Sequence, residues 1–398
     1  MSDWKEYKLG ELIKDIAAGP FGSNLKVECF VESGFPIIDG ANLKGIKVTD
    51  NITKYVTEKK ARSLHRAIAK RNDIVVTISG NVGQIAYIPD NSKYLEYLVS
   101  QRQFRATFDV TKVDVPFLVY YFHTRVGQHK ILSFANQVGV PALAQPIKNF
   151  KEIELELPPI NEQKRIARVL GSLDDKIDLL RRENATLEAM AETLFRQWFV
   201  VEAKEEWEEG KVIDLTKHVK DSINPQKYPN TVFQHYSIPA YDDGKKPTIE
   251  TGENIQSNKY VIPQKSILFS KLNPHKDKRV WLMLDDVPDN AVCSTEFQIV
   301  KPNNSEYLYF MYGWLTFKDN YEEIASGVGG TSGSHQRIDP KSIFAFACPK
   351  VDVETIRNYN KKVEPLFYKQ RNNQLQIQTL IQTRDGLLPR LMGGEIKI

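Results

Sequence analysis

The sequence predicts an α+β fold: two pseudo-symmetric mixed α/β domains joined by two long helices that form an antiparallel coiled coil. Three observations predict it. The chain repeats itself, each copy ends in a sustained heptad seam, and short β-rich runs separated by turns precede each seam.

The repeat is visible at the start of each copy. DWKEYKLGELIKD from Asp3 aligns with EWEEGKVIDLTKH from Glu206. This places Trp4 on Trp207, Glu6 on Glu209, Lys8 on Lys211, Glu11 on Asp214, Leu12 on Leu215 and Lys14 on Lys217. NDIVVTIS from Asn72 parallels KSILFSKL from Lys265, and both read as strands. Gly139, Gln145, Ile147 and Pro158 share one offset with Gly330, Gln336, Ile338 and Pro349. Thr186, Leu187 and Leu194 match Thr379, Leu380 and Leu387.

The seams follow. Ile166, Leu170, Leu173, Ile177, Leu180, Asn184, Leu187, Ala191, Leu194 and Trp198 recur by alternating four and three residues, the period of a coiled coil. Pro158-Pro159 and Asn161 mark the start, with Asn161 as N-cap. Ile356, Tyr359, Val363, Leu366, Gln370, Asn373, Ile377, Leu380, Arg384, Leu387 and Leu391 repeat the pattern in the same register. Pro365 should kink or restart that helix, and Gly393-Gly394 should end it. Asn184, Gln370 and Asn373 are costly in a seam unless they meet, where they can fix register. An antiparallel pair would form a spacer ~48 Å long at ~1.5 Å per residue. One turn of B-DNA is ~34 Å. VVEAKEEWEEGK from Val200 reads as a short acidic linker into the second copy.

Composition bounds the function. Hydrophobic residues at 41% and charged ones at 26% rule out disorder as the main state, and 54 Lys+Arg against 50 Asp+Glu, a formal +4 over 398 residues, is too small to prove a nucleic-acid partner. Cys29, Cys293 and Cys348 are an odd number without metal spacing, which argues against a disulfide framework and fits a reducing compartment. MSDWKEYK lacks an apolar signal region, and no run approaches a membrane span. A cytoplasmic location is expected, with no membrane partner.

Any DNA contact must therefore be local. The first copy offers Lys59, Lys60, Arg62, His65, Arg66, Lys70 and Arg71; the second offers Lys271, His275, Lys276, Lys278 and Arg279. Each cluster alone is better read as a solvated surface, and their recurrence in both copies brings phosphate contact level with that reading. SGVGGTSGSHQR from Ser326 contributes Thr331, Ser332, His335, Gln336 and Arg337 on a glycine-rich loop. Its counterpart, FANQVGVPALAQ from Phe134, contributes Asn136, Gln137 and Gln145. Asn and Gln can bind adenine bidentately, and Arg337 can read guanine or hold a phosphate. The plainer reading of each is a loop turn. FLVYYFHT near Phe117 and YLYFMYGWLT near Tyr307 read as core elements rather than base-stacking platforms.

Catalytic signals are missing. The chain has no Walker loop, HExxH, GxSxG or CxxC, and no adenosylmethionine-type glycine loop or Asp/Asn-Pro-Pro-aromatic motif. His123 and His129 have no evident carboxylate or Cys partner, so no metal site is expected.

LPPINEQKRIARVLGSLDDKIDLLRRENATLEAMAETLFRQWF from Leu157 and TRDGLLPRLMGGEI from Thr383 carry a family resemblance, together with W..YKLGEL and its echo W..GKVIDL. Over essentially its whole length the chain resembles the specificity subunit of Type I restriction-modification systems. The resemblance implies target recognition domains at residues 1–157 and 203–350, with spacer helices at 158–202 and 351–392. Each domain would read one half of a bipartite site in double-stranded DNA. The seams, including Leu173, Ile177, Asn184, Leu187, Leu194, Leu366, Asn373, Leu380 and Leu387, would space the halves. Two modification subunits would dock on the helices and methylate adenine, and restriction subunits would cleave. Adenosylmethionine, ATP and Mg would bind only in those partners, leaving this chain non-catalytic.

The resemblance also implies a docking role for charges read as outward, among them Arg165, Arg168, Asp174, Asp175, Arg181, Arg182, Arg371 and Arg384. Leu194, Phe195, Trp198 and Phe199 form an apolar end suited to packing on a domain or partner. Divergence between the copies predicts an asymmetric site. Two copies of the first half are expected to be able to pair and read a symmetric one. The competing readings are an assembly adaptor with incidental DNA affinity, and an enzyme that combines recognition with methylation.

Overall fold

The computed structural model describes residues 4–136, 141–329 and 336–398. Gln137 and Gly139, and Gly330, Thr331, Ser332 and His335, lie outside them. The chain divides into two compact units: one takes in residues up to Leu180 and from Leu375 onward, the other Arg181–Gln374.

The first unit is built on an antiparallel sheet in the order Ile13–Ala18, Gln103–Phe108, Ile74–Thr77, Ile85–Tyr87. The second repeats that order with Thr216–Val219, Phe297–Pro302, Ser266–Ser270 and Val280–Met283. The inner strands Ile74–Thr77 and Ser266–Ser270 are buried on both faces along their whole length, whereas the edge strands Ile13–Ala18 and Thr216–Val219 are partly exposed.

A five-stranded sheet adjoins each of these. The first runs Phe30–Val31, Tyr55–Val56, Phe35–Ile38, Glu96–Val99, Ile68–Lys70. The second runs Thr248–Thr251, Val232–Tyr236, Ala291–Cys293, Lys259–Val261, Ser222–Ile223. Four strands correspond, including one parallel pair in each (Ile37 beside Leu98, His235 beside Val292). The fifth strand sits on opposite edges in the two copies.

The aromatic runs are core helices, Val115–His123 and Leu308–Thr316. Asp114 caps the first through the Phe117 amide. Their apolar faces meet the long helices. In the first unit Ile166, Ala167 and Leu170 join Leu391 and Met392 in the core. In the second, Ala191, Phe195 and Phe199 join Ile356, Tyr359 and Val363. The apolar end read from the sequence thus packs on the domain of the second copy, with Leu194 and Trp198 at the margin of that core.

The long helices run Ile160–Arg196, continued by a π-helical turn Gln197–Val201, and Val353–Met392. Within each unit they pair antiparallel. Arg384 bonds Asp174 at 2.7 Å in the first unit, and Asn373 bonds Asn184 at 2.9 Å in the second.

Four expectations need correction. Asn161 lies inside the first turn rather than capping it, and the Pro159 carbonyl takes the Glu162 amide at 2.8 Å. Pro365 neither breaks nor restarts its helix. It lies on the exposed face with Lys361, whose carbonyl loses its intrahelical donor where water can replace it. Asp174 and Arg384 point inward, with side chains 15% and 27% exposed, because Tyr120 donates to Asp174 beneath them. The single offset linking Gln145 with Gln336 and Ile147 with Ile338 also fails. Leu143 and Ile338 make the same backbone bond, to Ile78 and Lys271 respectively, and Pro141 and Gln336 accept equivalent bonds from Gly80 and Asn273. Two residues of loop length separate the copies here. The helix ends as read: Gly394 has φ 70°, and Glu395 bonds back to Arg390 at 2.9 Å.

Candidate nucleic-acid interface

In the first unit three segments converge at one end of the central sheet. They are the loop after Ile74–Thr77, the turn before Gln103–Phe108, and the returning stretch at Pro141. Gly80 bonds the Pro141 carbonyl at 3.0 Å, and Ile78 bonds the Arg102 carbonyl at 2.7 Å. The first two of these, with the end of Phe35–Ile38, border a cleft of about 680 Å³. Its walls carry Asn81, Gln84, Gln101, Arg102, Lys44 and Lys54. Lys54 is paired with Asp39 at 2.7 Å. Lys44 and Arg102 are exposed and have no ion pair among the described residues. This is the donor-rich lining that base edges and phosphates require.

The lip is shaped by glycine. A Cβ on Gly19 would fall 1.9 Å from the Ser100 carbonyl oxygen, so only glycine lets this loop press on the 100–103 turn. The loop leaves Phe21 83% exposed, and Val27, 81% exposed, borders the cleft.

The second unit brings the equivalent segments together with different chemistry. Asn273 bonds the Gln336 carbonyl at 2.8 Å, and Lys271 bonds the Glu296 carbonyl at 3.0 Å. Glu296 therefore stands where the first unit has Arg102. It accepts two bonds from Arg337, at 3.0 and 3.1 Å, and lies 4.0 Å from Lys271. His275 and Lys276 extend from the neighbouring loop and are exposed.

The predicted basic residues separate into two groups. Arg279 is a structural strut. It is 8% exposed, bonds Asp242 twice at 2.7 and 2.9 Å and Asp277 at 2.8 Å, and so has its donors committed to carboxylates rather than open to phosphate. Lys278 is exposed but donates to the Thr316 carbonyl at 2.9 Å. In the first unit Arg62 bridges Glu58 and Glu96 and lies over the Phe35 ring at 5.3 Å. Phe35 begins the strand whose far end borders the cleft, so the cluster of Lys59, Lys60, Arg62 and Arg66 sits away from it. Lys59 and Arg66 are exposed and Lys60 is half-buried. Gln145 is exposed in a left-handed conformation (φ 41°) before the helix Pro146–Lys151.

Sequence reading missed the cleft. Its signal was the polar run Ser100–Gln101–Arg102–Gln103 between two apolar strands, paired with the glycine loop at Gly19. Among the described residues no group of His, Cys, Asp and Glu could hold a metal, and no helix is long and apolar enough to cross a membrane.

Comparisons with known proteins converge. Residues 1–189 match the family model "Type I restriction modification DNA specificity domain". The Type I restriction enzyme MjaIX specificity subunit of Methanocaldococcus jannaschii is 26% identical, across 100% of this chain and 97% of that protein. The HindI specificity subunit of Haemophilus influenzae is 22% identical, with full coverage of both chains. The crystal structure of the Type I restriction-modification S subunit from M. genitalium shares the fold. Its TM-score is 0.64 at 17% identity, over 98% of this chain and 96% of that one.

Proposed function

Because residues 1–189 match the Type I specificity-domain model and the whole chain is similar to Type I specificity subunits, we propose that it is such a subunit and that its two domains read the two halves of a bipartite, asymmetric DNA site. The observation that carries this is the pair of loop clusters at the same place in both copies, one presenting Arg102 and the other Glu296 with Arg337. A shared frame with divergent polar groups is what two different half-sites call for.

In this reading Lys44, Lys276 and His275 contact phosphate, while Arg102, Gln101, Gln84 and Arg337 face base edges. Arg337 must then exchange Glu296 for its target, which makes Glu296 a selective element against weak sites. The helices space the half-sites and dock two modification subunits. Adenosylmethionine binds in those partners, ATP and Mg in restriction subunits, and this chain carries no catalytic group. The target adenine must leave the helix stack for methylation, so the chain's task is to position the enzyme over it.

The test is DNA binding by the complex of this chain with its modification subunits. Arg102→Ala should relax discrimination at one position of one half-site by about 1–3 kcal/mol and leave the other half unchanged. Equal loss on specific and unrelated DNA would assign Arg102 to phosphate. No loss on either would favour an adaptor with incidental DNA affinity.

A further inference from the structure

We infer that each half of the chain presents a pairing face that fits the other half and rejects a second copy of itself. The inference rests on the helices and their domains, and it stands apart from the reading of DNA.

The two copies are related by a shift of 193 residues through the helical region (Leu187 to Leu380). The structure keeps that shift in the core helices. Gln128 bonds the Thr124 carbonyl as Tyr321 bonds that of Phe317, which places Tyr120 and Gly313 at equivalent positions. The same shift relates Leu180 to Asn373 and Asn184 to Ile377.

The seam sorts these four residues into like with like. In the second unit Asn373 donates to Asn184 Oδ1 at 2.9 Å and to Glu183 at 2.9 Å, and Gln370 donates to the Asn184 carbonyl at 3.1 Å. In the first unit Leu180 and Ile377 pack together with Ile177. One layer is polar and matched; the equivalent layer is apolar and matched. Pairing a half with its own copy destroys both. The first helix against itself, in the same antiparallel register, sets Asn184 opposite the copy's Leu180, twice. The second against itself sets Asn373 opposite the copy's Ile377, twice. Each asparagine then loses its amide partner, in a seam where Asn373 is buried and Asn184 half-buried, a cost a matched layer avoids.

A second mismatch lies where the domains meet the helices. In the first unit Tyr120 donates to Asp174, and Arg384 bonds the same carboxylate at 2.7 Å. The equivalent positions in the second unit are Gly313, Phe367 and Ala191. There the Phe195 ring fills the space that glycine leaves: a Cβ on Gly313 would fall 2.3 Å from it. Two copies of the first half would drive Phe195 of one toward Tyr120 of the other and give Asp174 an alanine in place of Arg384. The expectation that the first half pairs with itself is therefore reversed. The chain holds two unlike domains together and excludes like ones.

The test uses the full chain and keeps its composition. Asn184→Ile with Ile377→Asn turns both matched layers into mismatched ones, reproducing the environment of like-half pairing. Thermal unfolding should shift down by about 5 °C or more. Adding Leu180→Asn and Asn373→Leu restores two matched layers with their places exchanged. The fourfold variant should regain most of the loss. Independently, Arg384→Ala with Leu388→Phe should destabilise, and adding Tyr120→Gly should recover part of that. A two-residue exchange as stable as the parent overturns the inference. So does a fourfold variant that stays as unstable as the exchange.

Discussion

Gly313 and Phe195 form a lock in which one residue's missing side chain is the other's seat. A Cβ on Gly313 would approach Cδ2 of the ring at 2.3 Å, and Phe195 is only 1% exposed, so the ring has nowhere to retreat. Gly313→Ala should cost about 1–3 kcal/mol by overpacking, although alanine favours helix more than glycine does. Phe195→Leu in the same chain should recover part of the loss. Calorimetric unfolding of the three variants measures both effects.

The Asp174 carboxylate takes bonds from Tyr120 and Arg384 on two different elements of the first unit. Removing Arg384 leaves a partly buried carboxylate short of its counter-charge. Arg384→Ala should cost about 3 kcal/mol, and Tyr120→Phe about 1 kcal/mol. Arg384→Ala in an Asp174→Ala background should cost much less, and a double-mutant cycle in urea reads the coupling.

Arg279 and Lys276 lie three residues apart and should behave oppositely. Lys276 is exposed on its loop, whereas Arg279 is held by Asp242 and Asp277. Lys276→Ala should weaken DNA binding at low salt, lower its salt dependence by about one ion, and leave unfolding unchanged. Arg279→Ala should lower the unfolding midpoint, because it removes the buried guanidinium that ties Asp242 and Asp277 together.

Three histidines set an acid limit. Burial holds His123, His218 and His235 below the usual value of 6.5; the Ile85 carbonyl opposes this at His123 and Glu250 opposes it at His235. Their folded pKa values lie below the unfolded ones, so the unfolded chain takes up more protons as pH falls. The stability they confer is complete above about pH 6.5 and is lost as pH falls from there through the lower folded values. His235→Gln should flatten the decline of the unfolding midpoint between pH 6.5 and 5, measured at constant ionic strength.

Repeats and seams were legible because they are periodic. The heptad run from Ile166 and its echo from Ile356 state their partners in one dimension, and Asn184 and Asn373 do meet. The aromatic runs at Phe117 and Tyr307 announced burial by composition. The cleft was not legible, because it joins Gly40, Gln84 and Gln101, which are far apart in sequence. Charge misled most. Arg279 and Lys276 look alike in a string of basic residues, and only the carboxylate at Asp242, distant in sequence, separates them. Asp174 and Arg384 looked solvent-facing because each has polar neighbours, yet their partners lie inward. Loop length did the rest, shifting Gln336 onto Pro141 rather than Gln145.

The most direct measurement maps N6-methyladenine in DNA from cells that express this chain with the modification subunits proposed as its partners, before and after residues 203–350 are exchanged for the matching domain of a relative. One bipartite, asymmetric methylated sequence is expected. The exchange should replace one half of it and leave the other half unchanged. Methylation at the original sequence after the exchange, or loss of both halves together, would contradict this expectation.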